Sequence, residues 1–202
     1  MDSAFPTGGF AHSGGLEAAW QHGEIRDRDH LLSFLQAGLH QLGRASLPFV
    51  TTAHAEPARL PELDRLCDVF TSNHVANRAS RTQGRAFLTA AQKIFGVRVP
   101  ESSCLHFAPV FGASLRRLHA AKDTTARLFF FSHLRGLLAA AVRLNIIGPM
   151  EAQMLQRRLA PVAEKTIAQC GALTLDELAQ TSPLLDVWQG AHDRLYSRLF
   201  QS

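Results

Sequence analysis

The sequence predicts an all-α fold: a single-domain helical bundle of about eight to ten helices around one central buried helix at about residues 123–147. Composition is the first sign. Ala, Leu and Arg dominate the 202 residues, hydrophobic content is 46% and there is one Tyr, the make-up of helices rather than sheets. Spacing is the second, because apolar residues recur at helical intervals along most of the chain. The third is the stretch DTTARLFFFSHLRGLLAAAVRLNIIG from Asp123 to Gly148. Its Leu128, Phe129, Phe130, Phe131, Leu134, Leu137, Leu138, Val142, Leu144 and Ile146 cover nearly the whole circumference of a helix. Such a helix is buried, in a core or in a membrane. A membrane span needs about 20 consecutive apolar residues, and Arg127, His133, Arg135 and Arg143 break this run. It is read as the core helix, capped by Asp123 and Thr124 and stopped by Gly148-Pro149.

The remaining elements follow in order. Pro6, Gly8, Gly9, Gly14 and Gly15 forbid a continuous helix in the opening MDSAFPTGGFAHSGGLE, so a first helix is expected from about Ser13 to Gly23. Asp27 or Asp29 caps the next, with Leu31, Phe34, Leu35, Leu39 and Leu42 in register and Gly43 ending or bending it. A short helix runs through Phe49, Val50 and Ala53, and Pro57 and Pro61 bracket a turn. The helical period then continues from Pro61 to about Asn77. Asn77 to Phe95 is a basic amphipathic helix, with Arg78, Arg81 and Arg85 on one side and Ala79, Ala86, Phe87, Ala90 and Ile94 on the other. A loop follows from Gly96 to Ser103, and HFAPVFG leads into a helix ending near His119. Beyond the core helix, Met150 to Cys170 is helical, with Pro161 expected to kink or break it. A short helix at Leu175 to Gln180 and a last one from Pro183 to Tyr196 complete the bundle.

Composition excludes some classes of function. The three cysteines, Cys67, Cys104 and Cys170, form no CxxC pair, which points to a reducing, cytoplasmic setting. Neither a secretory leader nor a membrane span is expected. Net charge is +4, and the excess of Arg over Lys favours fixed, directional contacts. A basic helical nucleic-acid-binding protein is the competing reading. Yet no stacking aromatics interleave with Arg78, Arg81 and Arg85, and no helix-turn-helix signature surrounds them.

Catalytic motifs fail on particular residues. Gly9 to Gly14 has P-loop glycine spacing, but Gly15 and Leu16 stand where Lys and Ser/Thr belong. Ser13 lacks both the preceding glycine and the strand of a nucleophile elbow. The ten histidines contain no i, i+4 pair of metal-ligand type, and His133 is expected to be hydrogen-bonded in the core. The tail HDRLYSRLFQS carries Leu195, Tyr196, Leu199 and Phe200. It either docks back on its own domain or is ordered by a partner.

Five stretches in order resemble the urease accessory protein UreF family. They are DSAFPTGGFAHSGGLE, NRASRTQGRAFL at 77–88, HFAPVFG at 106–112, AAAVRLNIIGPMEAQ at 139–153 and the terminal YSRLFQS. Members carry roughly one helix before the D-S-x-x-P segment, and this sequence begins within that segment. The resemblance implies an all-α homodimer of the cytosol that acts as a non-catalytic scaffold in urease maturation. It would bind the accessory protein UreH (UreD in many organisms), and through it the GTPase UreG, for nickel delivery to apo-urease. No cofactor is expected to bind directly; nickel and GTP are handled by the partners, and neither membrane nor nucleic acid is a partner. The expected organisation is a UreF-like domain at 1–195 and a partner-ordered tail at 196–202. Carried over, Tyr196, Ser197, Arg198, Leu199 and Phe200 would contact UreH, with Tyr196 and Phe200 as desolvated anchors and Arg198 as a bidentate donor. The turn of Pro6, Gly8, Gly9, Phe10, Ser13, Gly15, Leu16 and Glu17 would shape a second partner surface.

Overall fold

The computed structural model describes residues 8–202, which form one all-helical domain. Nine α-helices occur among the described residues: α1 (Leu16–Gln21), α2 (Arg28–Ala45), α3 (Leu47–Ala55), α4 (Leu60–Phe70), α5 (His74–Phe95), α6 (Phe107–Arg117), α7 (Lys122–Arg143), α8 (Pro149–Cys170) and α9 (Pro183–Ala191). Short 3₁₀ turns lie at Gly9–Ala11, Pro57–Arg59, Leu175–Glu177 and His192–Arg194, and no strand is present among these residues. No helix of the described residues is long and apolar enough to cross a membrane.

The centre is shared by α7 with two shorter helices. In α6 every residue from Phe107 to Leu115 is buried, and α3 buries Leu47 to Thr51 together with Ala53 and His54. Those two helices meet backbone to backbone, because a Cβ on Gly112 would overlap the Val50 carbonyl. Phe111 of α6 bridges them to the rest of the core, with ring centroids 5.1 Å from Phe87 and 5.5 Å from Phe129. On α7 the residues Ala126, Phe129, Phe130, Leu134, Leu137, Leu138, Ala140 and Ala141 are buried, so the expected core helix is indeed central.

Several boundaries differ from expectation, each for a local reason. Ala121, in extended conformation, occupies the cap position of α7. Asp123 instead lies in its first turn, where a negative charge complements the helix dipole. The helix ends at Arg143, and Gly148-Pro149 opens α8 with proline at its first position. The expected run from Pro61 to Asn77 breaks at Thr71–Asn73. There the Asn73 side chain accepts from Val75 N (3.0 Å) and Ala76 N (3.2 Å), restarting the chain as α5. Gly43 does not end α2; it lets α8 approach, with Thr166 2.5 Å from where a Cβ would sit. Pro161 leaves α8 unbroken on a solvent-facing position, where water can satisfy the carbonyl four residues back. The expected first helix begins only at Leu16, the segment at 175–180 is a 3₁₀ turn, and the last helix stops at Ala191 rather than Tyr196.

Candidate partner-binding site

The two ends singled out by the sequence fold onto one another. After Arg194 the chain leaves helical structure and runs back along the glycine-rich turn. Gln201 N donates to Ala11 O (2.8 Å), and Ser13 N donates to Ser202 O (2.5 Å). The Ser13 hydroxyl donates to the same oxygen (3.2 Å), and His12 Nδ1 lies 2.6 Å from Ser202 Oγ. Gln21 Nε2 reaches Ser197 O at 3.0 Å.

Glu17 is the hub of this junction. Its side chain is buried, yet each oxygen is occupied: Oε1 accepts from Leu199 N (2.6 Å), and Oε2 accepts from Phe200 N (3.2 Å) and lies 3.0 Å from His192 Nε2. A buried carboxylate needs this many donors to offset its lost hydration. Gly15 makes the arrangement possible. It sits at φ +89 in front of α1, and a Cβ there would lie 3.0 Å from Gln189 N of α9, so only glycine fits both the angle and the space. His12 is half-buried, and burial, with His192 and Arg78 nearby, pushes its pKa below the usual imidazole range.

Above this base stands an exposed apolar rim. Phe10 is 68% exposed, Leu199 51% and Tyr196 fully exposed. Arg143 stacks on both sides, its guanidinium carbon 4.1 Å from the Phe10 ring centroid and 4.2 Å from that of Phe200, while Nη1 donates to Phe10 O (2.6 Å). Beside the rim, Asp193 gathers Arg78 (2.7 Å), Arg198 (3.3 Å) and His74 (3.3 Å). The Arg78 hydrogen bond is the main reason the Asp193 carboxyl is held below the usual range.

The carried-over residues therefore divide by position. Tyr196, Ser197, Arg198, Leu199 and Phe10 face solvent, Gly8 and Gly9 are half-buried, and Ser13, Gly15, Leu16, Glu17 and Phe200 are buried. Phe200, expected as an anchor for a partner, fills the chain's own core beneath Arg143. Arg198, expected as a donor to a partner, reaches Asp193. Pro6 lies outside the described residues. Sequence reading missed His192 and Arg143, which hold the junction together. Nothing marks them in the chain, because their partners lie 175 and 133 residues away.

The other candidates are accounted for as well. The Ser13 hydroxyl is committed to Ser202 O, and among the described residues no base accepts from it. His133 is not hydrogen-bonded through its buried Nε2, contrary to expectation. It borders a cavity of about 250 Å³ lined by Gly14, Phe34, Gly38 and Leu137, and burial pushes its pKa down to about 4. Of the three arginines on α5, Arg78 is paired with Asp193 and Arg81 lies 3.9 Å from Asp68.

Known proteins supply the context for this geometry. The sequence model of the UreF family matches residues 25–160. Urease accessory protein F of Oryza sativa subsp. indica is 38% identical over 216 residues, covering 99% of this chain and 82% of its own length. Its namesake in Arabidopsis thaliana is also 38% identical, over 100% of this chain and 90% of its own. A UreF-like urease accessory protein of Schizosaccharomyces pombe is 29% identical across 100% of this chain and 94% of its own. On the family match and on near-complete coverage by these relatives, the chain belongs to the UreF family of urease accessory proteins.

Proposed function

We propose that this chain is a non-catalytic, cytosolic scaffold of urease maturation, and that the junction of front turn and tail is where it takes hold of UreH (UreD). The resulting complex would recruit the GTPase UreG and deliver nickel to apo-urease, with nickel and GTP handled by the partners in that delivery and this chain acting as a homodimer. One observation carries the reading: Phe10, Tyr196 and Leu199 are presented to solvent on a base that the buried Glu17 carboxylate ties together by hydrogen bonds to the tail. Interfaces draw their affinity from a few such preorganised aromatic and aliphatic anchors ringed by polar groups. Asp193, Arg198 and Arg78 supply that polar ring. The same ion pair occupies Arg78, which leaves α5 less able to follow a phosphate backbone.

Co-expression with the cognate UreH and UreG, followed by size-exclusion chromatography with light scattering, tests this. A stable complex containing two copies of this chain is expected. A Tyr196→Ala, Leu199→Asp double variant should fold and fail to enter it. Retention of UreH by that variant would remove the junction from the interface.

A further inference from the structure

A second polar cluster lies away from the junction, where α4, α5 and the loop before α6 meet. Asp64 is completely buried and accepts from the Ser102 hydroxyl, Cys104 N (2.9 Å), Leu105 N (2.8 Å) and His106 N (2.7 Å). One carboxylate thus clamps residues 102–106 into a tight curl with Leu105 at φ +62. From the other side α5 presses in, since a Cβ on Gly84 would overlap the Leu105 carbonyl. The backbone of Cys104 and His106 is fixed before any ligand arrives.

This curl places three different donor atoms together. The ring nitrogens of His106, a carboxylate oxygen of Asp68 and the sulfur of Cys104 offer one ligand atom each, all within 4.8 Å of one another. His106 is fully buried, with Nε2 3.0 Å from Asp68 Oδ1 and Nδ1 3.1 Å from Ser80 Oγ. Asn77 Nδ2 holds Asp68 Oδ1 at 3.0 Å. Cys104 is half-buried, and Asp68 borders an open cleft lined by Thr71, Asn77 and Arg81.

We infer that Asp68, Cys104 and His106 form a binding site for a divalent transition-metal ion, open to solvent at a fourth position. The donor set selects the ion class. Imidazole nitrogen and thiolate sulfur with one carboxylate suit ions of borderline softness such as Zn²⁺, Co²⁺ or Ni²⁺, and suit Mg²⁺ and Ca²⁺ poorly. Loading requires a change of tautomer at His106 and loss of the Cys104 thiol proton. With the ring proton on Nδ1, Ser80 Oγ accepts from it and from Phe107 N (3.2 Å), and the Nε2 lone pair turns to the ion in place of the Asp68 hydrogen bond. Ser80 and Asn77 then orient the ligands from behind, as outer partners do in metal sites. The Cys104 thiol gives up its proton on binding, so the ion and the proton exchange at sulfur. Arg81, 3.9 Å from Asp68, is the positive charge beside the site that an incoming cation has to meet.

The site is independent of the scaffold reading, and the full-length chain alone tests it. Titration of reduced protein with Co²⁺ should saturate at one equivalent and develop a thiolate-to-metal charge-transfer band. Zn²⁺ should displace the ion and protect Cys104 from alkylation. Cys104→Ser should lose the band with an unchanged circular dichroism spectrum, and Cys67→Ser should keep it. Asp68→Asn, which can still accept from Asn77, should weaken binding by about tenfold or more. Absence of the band in the folded wild-type chain, its survival in Cys104→Ser, or unaltered affinity in Asp68→Asn would each overturn the assignment.

Discussion

The carboxylate of Glu17 and the ring of His192, 175 residues apart, meet at 3.0 Å in the interior of the domain, with neither side chain open to solvent. The pair ties α1 to the start of the tail. The same carboxylate also accepts from the Leu199 and Phe200 amides, adding to the contacts that Ala11, Ser13 and Gln21 make with the tail.

Glu17→Ala should therefore unseat the tail rather than unfold the bundle. It strips partners from His192 Nε2, Leu199 N and Phe200 N together, a loss of about 3 kcal/mol or more. Limited proteolysis should cut the variant between 195 and 202 first, while far-UV circular dichroism stays close to wild type. Equal protease resistance in both proteins would refute the hub role.

Tail residues should separate into two kinds. Tyr196→Ala and Leu199→Ala alter exposed side chains and should shift stability by less than about 0.5 kcal/mol. Each should weaken capture of UreH by about 1–3 kcal/mol, measured by calorimetry. Phe200→Ala empties a buried site and should cost about 3 kcal/mol or more in urea unfolding of the isolated chain.

Two glycines on different long helices should respond in opposite directions. Gly84→Ala drives a methyl group into the Leu105 carbonyl and should cost about 4 kcal/mol or fail to fold. Gly136 lies inside α7 with open space around it. Gly136→Ala should raise stability by about 0.5–1 kcal/mol through a less flexible unfolded chain. Thermal unfolding of the two variants reads both signs.

His133 should make the domain acid-sensitive. Burial lowers its folded pKa to about 4 from 6.5, so between those values the unfolded chain binds the extra proton. Stability contributed by the neutral ring is complete above about pH 6.5 and is lost as pH falls toward 4, by roughly 3 kcal/mol. His133→Leu should flatten that slope. Urea midpoints at pH 7 and pH 4.5 for both proteins give the comparison.

The helices were largely readable because local rules wrote them. Asp27 caps α2 as its position suggests, with Asp29 N and His30 N on its side chain, and the apolar face of α7 is the core face. Boundaries failed where a competing cap sat inside an unbroken period. Asn73 cuts short the run expected to reach Asn77 and starts α5 at His74, and α7 ends at Arg143, before its expected stop at Gly148-Pro149. Residues of the candidate junction were named at both ends of the chain, but their meeting was not legible. Glu17 reads as part of the front turn, and nothing in the sequence links it to His192 at the other end. The metal-ligand cluster was hidden in the same way, since Cys104-Leu105-His106 has no meaning without Asp68 on another helix.

The closure of the tail over the front turn also sets an order in time. A chain emerging from the ribosome exposes Glu17 early, yet the donors that satisfy it follow 175 to 183 residues later. Contacts spanning nearly the whole chain form late and slowly. Until residues 199–202 emerge, the carboxylate stays hydrated, Gly15 and α1 lack their lid, and Phe10 has no Phe200 across Arg143. The exposed rim offered to a partner is thus assembled only once the tail has been translated, so a truncated or half-made chain presents no finished surface to bind.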